Sequence, residues 1–214
     1  MKFENTEVWG FEHAIRGMRN PMNSWDRSDS GYVDKRFNDQ FHIGPHDMEL
    51  MKTLIKAGPE HRKFLRQIFI SVDITAPFYW WKEFDTYKVG TVADSCSTMH
   101  KLKDTPITVD CFEMDDFEDC KDNSNVYVSA IWIESITRLE KLRQTYNATK
   151  DKRYWKELIR LLPESWLQKR TVTMSYENVA NMYSQRMNHK LTEWSKNFIQ
   201  WADNLPYFKE LFTV

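Results

Sequence analysis

The chain has 214 residues, 41% of them hydrophobic and 29% charged, with only six Gly and seven Pro, which excludes a disordered, collagenous or low-complexity protein. Thirty Lys and Arg against 31 Asp and Glu give a net charge of −1, so the molecule as a whole has no electrostatic drive towards nucleic acid or an anionic membrane, and neither is expected as a partner. The longest apolar run, around Ile131 and Ile133, is far short of the roughly 20 residues that cross a bilayer. The opening residues lack the apolar stretch of a signal peptide, and Cys96, Cys111 and Cys120 are odd in number without a C-x-x-C pair. A reducing, cytoplasmic context and one domain over residues 1–214 are the expectation.

Residues 3–11 alternate loosely, as a strand does, and residues 17–31, rich in Arg, Asn, Ser, Asp and Gly, read as a loop. Gly44-Pro45 then introduces Met48, Leu50, Met51, Leu54 and Ile55 at helical spacing, with Gly58 as a stop, which predicts a helix over 45–57. Residues 68–75, Ile-Phe-Ile-Ser-Val-Asp-Ile-Thr, alternate β-branched and polar side chains and predict a half-buried strand. Pro77 and the aromatic string Phe78-Tyr79-Trp80-Trp81 suit a short helix that Gly90 ends.

Val128, Ile131, Trp132, Ser135, Leu139 and Leu142 fall three and four apart and predict a long helix over 125–146. A second helix over 152–162 stops at Pro163, residues 171–176 are strand-like, and a last long helix covers 177–202. The fold class is therefore α+β, without internal repeats.

No Gly-rich phosphate loop, H-E-x-x-H or G-x-S-x-G is present. His42 and His46 are four apart, but Gly44-Pro45 interrupts the helix that would align them on a metal. The acidic cluster Asp115, Asp116, Glu118, Asp119 and Asp122 lacks the Gly and spacing of a calcium loop and reads as a solvated surface. Arg16 and Arg19 beside Asn20, in the predicted loop, offer guanidinium forks suited to phosphate, with surface salt bridging as the alternative. Arg186, His189, Lys190 and Glu193 share one face of the last predicted helix, suited either to an anion or to ordinary surface pairing. Nine Trp, nine Tyr and 13 Phe supply an aromatic core or rings that stack on a planar ligand.

The order of these elements resembles the flavin-dependent thymidylate synthases. That family carries G-H-x-S-x-x-E-H, a strand ending in Pro, about eight mainly apolar residues and the signature R-H-R-x-x-S-x-N-E-x-S. Here His61 stands at the first His, Arg66-Gln67 at Glu-His, Pro77 closes the strand, and residues 86–96 fall on the signature. Thr86 and Tyr87 replace its first Arg and its His, Lys88 keeps the charge of the second Arg, Thr91 a hydroxyl and Asp94 a carboxylate, while Ala93 loses the amide. Downstream, Arg160 is one place off the family's Arg before Leu-Pro, Arg186 matches the Arg of the last helix that contacts the nucleotide, and His189 is one place off the flavin-contacting His.

The resemblance covers about residues 45–200 and implies an antiparallel sheet flanked by long helices. It implies a homotetramer with sites at subunit junctions, binding FAD and a pyrimidine deoxynucleotide and passing a methylene group from a folate to dUMP. It assigns Thr91 and Lys88 to catalysis, His61, Thr86, Tyr87 and His189 to the flavin, and Arg186, Asp94, Lys88 and Arg19 to the nucleotide. The alternative is a nucleotide-binding relative without turnover, since the missing Arg and His would have stabilised developing negative charge.

Overall fold

A strand whose every second residue is fully buried anchors the fold, in a computed structural model that describes residues 1–32, 41–114 and 119–212. The elements run β1 (Lys2–Trp9), α1 (Phe11–Arg19), β2 (Gly31–Tyr32), β3 (Phe41–His42), α2 (Pro45–Lys56), β4 (Phe69–Pro77), α3 (Phe78–Phe84), β5 (Val92–Ser95), α4 (Thr98–Lys101), α5 (Val128–Thr149), α6 (Lys152–Leu161), β6 (Leu167–Ser175) and α7 (Tyr176–Arg186). A π-helical segment, Glu193–Phe198, then leads into α8 (Ile199–Asp203) and α9 (Phe208–Phe212). The main sheet is antiparallel and ordered β1-β4-β6-β5, while β2 and β3 form a small antiparallel pair. In β4, Ile70, Val72, Ile74 and Ala76 are all 0% exposed and alternate with half-buried Phe69, Ser71, Asp73 and Thr75, the period of two that a pleated strand imposes.

The chain folds as two compact units. One comprises Met1–Lys2, Ile74–Thr86 and Asp94–Thr171. Its core joins Leu102, Ile107, Phe112, Ile136, Leu139, Leu158 and Trp166, with Phe112 and Trp166 meeting edge to face at 5.5 Å. Helices α5 and α6 pack as a hairpin, turning at Lys150, whose φ of 57° lies in the left-handed region. In α3, Trp81 donates its indole N–H to the Gln168 carbonyl at 2.9 Å and carries the Arg170 guanidinium 4.1 Å above its ring.

The other unit comprises Phe3–Asp73, Tyr87–Ala93 and Val172–Val214. Helix α1 buries Phe11, Ala14, Ile15 and Met18 against the turn that holds Phe64 and Leu65. That approach is close: a Cβ at Gly10, where φ is +101°, would lie 2.3 Å from the Gln67 carbonyl oxygen. Helix α7 buries Tyr176, Val179, Met182 and Tyr183. The Tyr176 hydroxyl donates to the Pro206 carbonyl at 2.8 Å, and burial pushes this phenol well above its ordinary pKa.

Three expectations change. Residues 17–19, expected to open a loop, instead close helix α1 (Phe11–Arg19), so Arg16 and Arg19 sit on its last turn. The short aromatic helix ends at Phe84, and a 3₁₀ turn, Asp85–Tyr87, precedes Gly90. The single helix expected over 177–202 breaks after Arg186 and resumes at Glu193, because the His189 imidazole accepts the Leu191 N–H at 3.2 Å and takes it out of the helical ladder. The acidic residues Asp115, Asp116 and Glu118 lie outside the described residues. Asp119 and Asp122 are spent on local donors, the former accepting from the Ser129 N–H and hydroxyl, the latter from the N–H groups of Ser124 and Val126. Among the described residues no helix is long and apolar enough to cross a membrane.

Candidate functional site

Helix α7 starts from a reciprocal cap: the Ser175 hydroxyl accepts the Asn178 N–H, while the Asn178 side-chain oxygen accepts the Ser175 N–H. The same Asn178 amide donates to the Val89 carbonyl at 2.7 Å. Val89 lies in a tight turn closed by the Thr91 N–H on the Lys88 carbonyl at 3.1 Å, with Gly90 at φ +77°, a conformation that glycine adopts without steric cost. The other end of α7 holds the start of this turn. Arg186 donates from Nε to the Tyr87 hydroxyl at 2.8 Å, and that hydroxyl donates to the Gln185 side chain at 3.1 Å.

The Arg186 guanidinium also lies 5.3 Å from the Tyr87 ring centre and 5.0 Å from that of Trp194, so contact with both rings holds it as well as a hydrogen bond. The result is one cluster containing Tyr87, Arg186 and Trp194, with Lys88 and Thr91 on the attached turn. His189 follows one turn later, its N–H on the Arg186 carbonyl. Lys88 is exposed and Thr91 half-buried.

The remaining sequence candidates are His61, Thr86, Asp94 and Arg19. His61 is exposed in the turn after Gly58, and its neighbour Arg62 reaches α7 instead, donating to Glu177 at 3.2 Å and Asn181 at 3.1 Å. Thr86 and Asp94 belong to the first unit, where the Thr86 hydroxyl donates to the Glu83 carbonyl at 2.7 Å and Asp94 is exposed on β5.

Arg19 is 5% exposed, with Nε donating to Asp47 at 2.6 Å and Nη1 to the Ser24 carbonyl at 3.2 Å. Asp47, 0% exposed, also accepts from the hydroxyls of Ser28 and Ser30 at 2.7 and 2.6 Å and from the N–H groups of Asp29 and Ser30. Burial acts to raise its pKa, but the hydrogen bonds from Ser30, Ser28 and Arg19 outweigh burial and hold the carboxyl below its ordinary range. Arg19 lines two clefts, an open one of about 930 Å³ with Ser24, Arg27 and His46, and a smaller one of about 220 Å³ with Arg16, Trp25, Tyr32 and Phe41.

Sequence reasoning missed Asn178, Trp194 and Asp47. The Ser175-x-x-Asn178 spacing was a readable cap signal, and Trp194 lies eight residues beyond Arg186, close to two helical turns. Nothing local links Asp47 to Arg19, 28 residues earlier.

No protein-family model and no curated protein matches the sequence. Solved structures do match, and together they define the fold as that of the flavin-dependent thymidylate synthases. The flavin-dependent thymidylate synthase of Helicobacter pylori, complexed with FAD and dUMP, superposes with a TM-score of 0.70 at 18% identity, covering 100% of this chain and 98% of that one. A second structure of that enzyme with FAD and dUMP gives 0.71 at 17% identity with the same coverage.

Proposed function

We propose that this chain is a divergent flavin-dependent thymidylate synthase-like protein that binds FAD and a pyrimidine deoxynucleotide and transfers a one-carbon unit from methylene-tetrahydrofolate to dUMP. The observation that carries the reading is a fold likeness running over 100% of this chain to a protein solved with FAD and dUMP. The donor chemistry suits both anions, since Arg186 and Lys88 are cations, Thr91 adds a hydroxyl, and Tyr87 and Trp194 present ring surface in the same cluster. In this reading Arg186 and Lys88 hold the nucleotide phosphate and stabilise negative charge developing on the pyrimidine, with Thr91 orienting the reacting carbon and Asp94 placing the base. His61, Thr86, Tyr87 and His189 hold the flavin, which when bound supplies the reducing equivalents that turn the transferred methylene into a methyl group. The working form is a cytoplasmic homotetramer.

A second reading, nucleotide binding without turnover, is favoured by one observation. Thr86 and Tyr87 stand where the family has Arg and His, and the Tyr87 hydroxyl is already engaged by Arg186 and Gln185. Mass spectrometry of small molecules released from the native protein, followed by a labelled assay for methylation of dUMP, separates the two. Flavin with labelled product supports the first reading, and a nucleotide that raises the melting temperature without product supports the second. Protein that takes up neither FAD nor any pyrimidine nucleotide refutes both.

A further inference from the structure

The near-zero net charge of the chain conceals a segregation. Residues 98–105 and 138–160 hold ten Lys and Arg against four Asp and Glu, and the rest of the chain holds 20 against 27. Both basic stretches belong to the first unit, and hydrogen bonds bring them together. In α5, Arg143 Nη1 and the Asn147 amide donate to the Lys103 carbonyl at 2.9 and 2.7 Å, and in α6 the Trp155 indole donates to the Met99 carbonyl at 3.3 Å. The segment carrying Lys101 and Lys103 is thus clamped to the turn end of the α5–α6 hairpin, where Lys150 and Lys152 stand, and Lys156 follows Lys152 by one helical turn. The exposed Asp104 carboxyl is held below its ordinary pKa by the hydrogen bond from Lys103 at 2.6 Å and then by the charges of Lys101 and Lys150, which places all three ammonium groups around it.

Neither pairing nor helix electrostatics accounts for these lysines. The four arginines of the hairpin are spent on its own carboxylates, Arg138 on Glu134, Arg143 on Glu140, Arg153 on Asp151 and Arg160 on Glu157. Lys101, Lys150, Lys152 and Lys156 are exposed and make no ion pair among the described residues. Lys152 is the first residue of α6, at the positive end of the helix macrodipole, where a cation opposes the helix instead of stabilising it. Asp119 and Asp122 are bonded at the start of α5, about 30 Å along the helix from Lys150 and far beyond the roughly 8 Å over which salt screens exposed charge.

We propose that the turn end of the α5–α6 hairpin binds the phosphodiester backbone of a nucleic acid without reading its bases, independently of the flavin and nucleotide reading. The uncommitted cations are lysines, point charges that meet phosphate oxygens in any orientation, whereas the forked arginines suited to the carboxylates of an acidic protein are already occupied. The test is fluorescence anisotropy of a labelled strand of about 20 nucleotides, and of the same sequence as a duplex, titrated with the full chain from about 50 mM salt upwards. At least one form binds, and log affinity falls against log salt with a slope between about −3 and −5, the counterion release of five lysines.

The Lys152→Gln, Lys156→Gln double variant binds at least about tenfold more weakly at the lowest salt, with a slope shallower by about two, one for each lost cation. Its urea midpoint does not fall, because both positions are exposed. Lys52→Gln with Lys56→Gln, the same spacing on α2 in the other unit, leaves binding unchanged, and so does Arg186→Ala, so failure here is distinct from failure of the nucleotide reading. The proposal is overturned if neither form binds, if the salt slope is flat, if the α2 pair loses as much, or if binding follows Arg186. Displacement of the strand by poly-glutamate as readily as by unlabelled strand also overturns it, and assigns the patch to an acidic protein.

Discussion

Replacing Asp47 by Asn tests whether the loop after α1 is held by a buried charge. The carboxylate takes four donors on Oδ2, namely the Ser28 and Ser30 hydroxyls and the N–H groups of Asp29 and Ser30, and one, Arg19 Nε, on Oδ1. An amide must turn its NH₂ towards one of these sets, and the lesser conflict is with Arg19. The variant then keeps the Oδ2 contacts but leaves a guanidinium that is 5% exposed without its counter-charge. Removing one partner of a buried pair costs about 3–5 kcal/mol, and losing the single charged hydrogen bond sets a floor of about 1.5 kcal/mol. Urea unfolding followed by tryptophan fluorescence measures it.

The pH dependence is a second check on the same variant. The folded Asp47 pKa lies below its ordinary 3.8, so its stabilisation is fully present above that value and is lost as pH falls through the lower, folded one. The gap between wild type and variant should be constant from neutral pH down to about pH 5 and shrink below about pH 4. A loss under about 1 kcal/mol at neutral pH, or a gap that persists in acid, would refute the buried-charge account.

Other outcomes follow from other sites. Glu140 accepts two bonds from Arg143, one from the Ile107 N–H and one from Gln144, and the Arg143 bonds lead in drawing its pKa from 4.5 to about 2. Glu140→Gln should cost about 1–2 kcal/mol at neutral pH after allowance for solvent screening, a cost that fades as pH falls from 4.5 towards 2, read by urea melts across that range. Gly10→Ala drives a methyl against the Gln67 carbonyl at 2.3 Å and should prevent stable folding, checked by circular dichroism and soluble yield. Arg186→Ala should weaken pyrimidine-nucleotide binding by about 1.5–3 kcal/mol, less at high salt. Lys82→Ala, which removes an exposed lysine paired with Glu164 in the other unit, is the control, and equal losses would reduce the effect to surface charge.

What could be read from the sequence follows from how local each signal is. Helix α2, strand β4 and helix α5 announce themselves through Pro45, through β-branched alternation and through apolar spacing, and each is found within a few residues of its expected bounds. Helix α1 was obscured although Phe11, Ala14, Ile15 and Met18 have helical spacing, because Gly17 falls within it and a polar, Ser-rich stretch follows. The break after Arg186 rests on the His189 imidazole competing with a backbone carbonyl, which hydrophobic periodicity does not register. At the candidate site, Tyr87, Lys88 and Arg186 were legible as residues. Their convergence depends on the Trp194 ring and the Asn178 amide, whose partners are supplied by tertiary packing.

Asn178 serves two masters with one side chain. Its oxygen completes the start of α7 and its nitrogen grips a peptide 89 residues earlier in the chain, so two segments are registered against each other by a single planar group. Asp in its place would keep the acceptor and lose the donor, Ser would be too short for the span, and Gln would set the amide one methylene too far from the cap. The turn bearing Lys88 and Thr91 therefore has its position indexed to the first residues of α7. A shift in where that helix begins would carry the turn's cation and hydroxyl with it, away from the Arg186 held at the helix's other end.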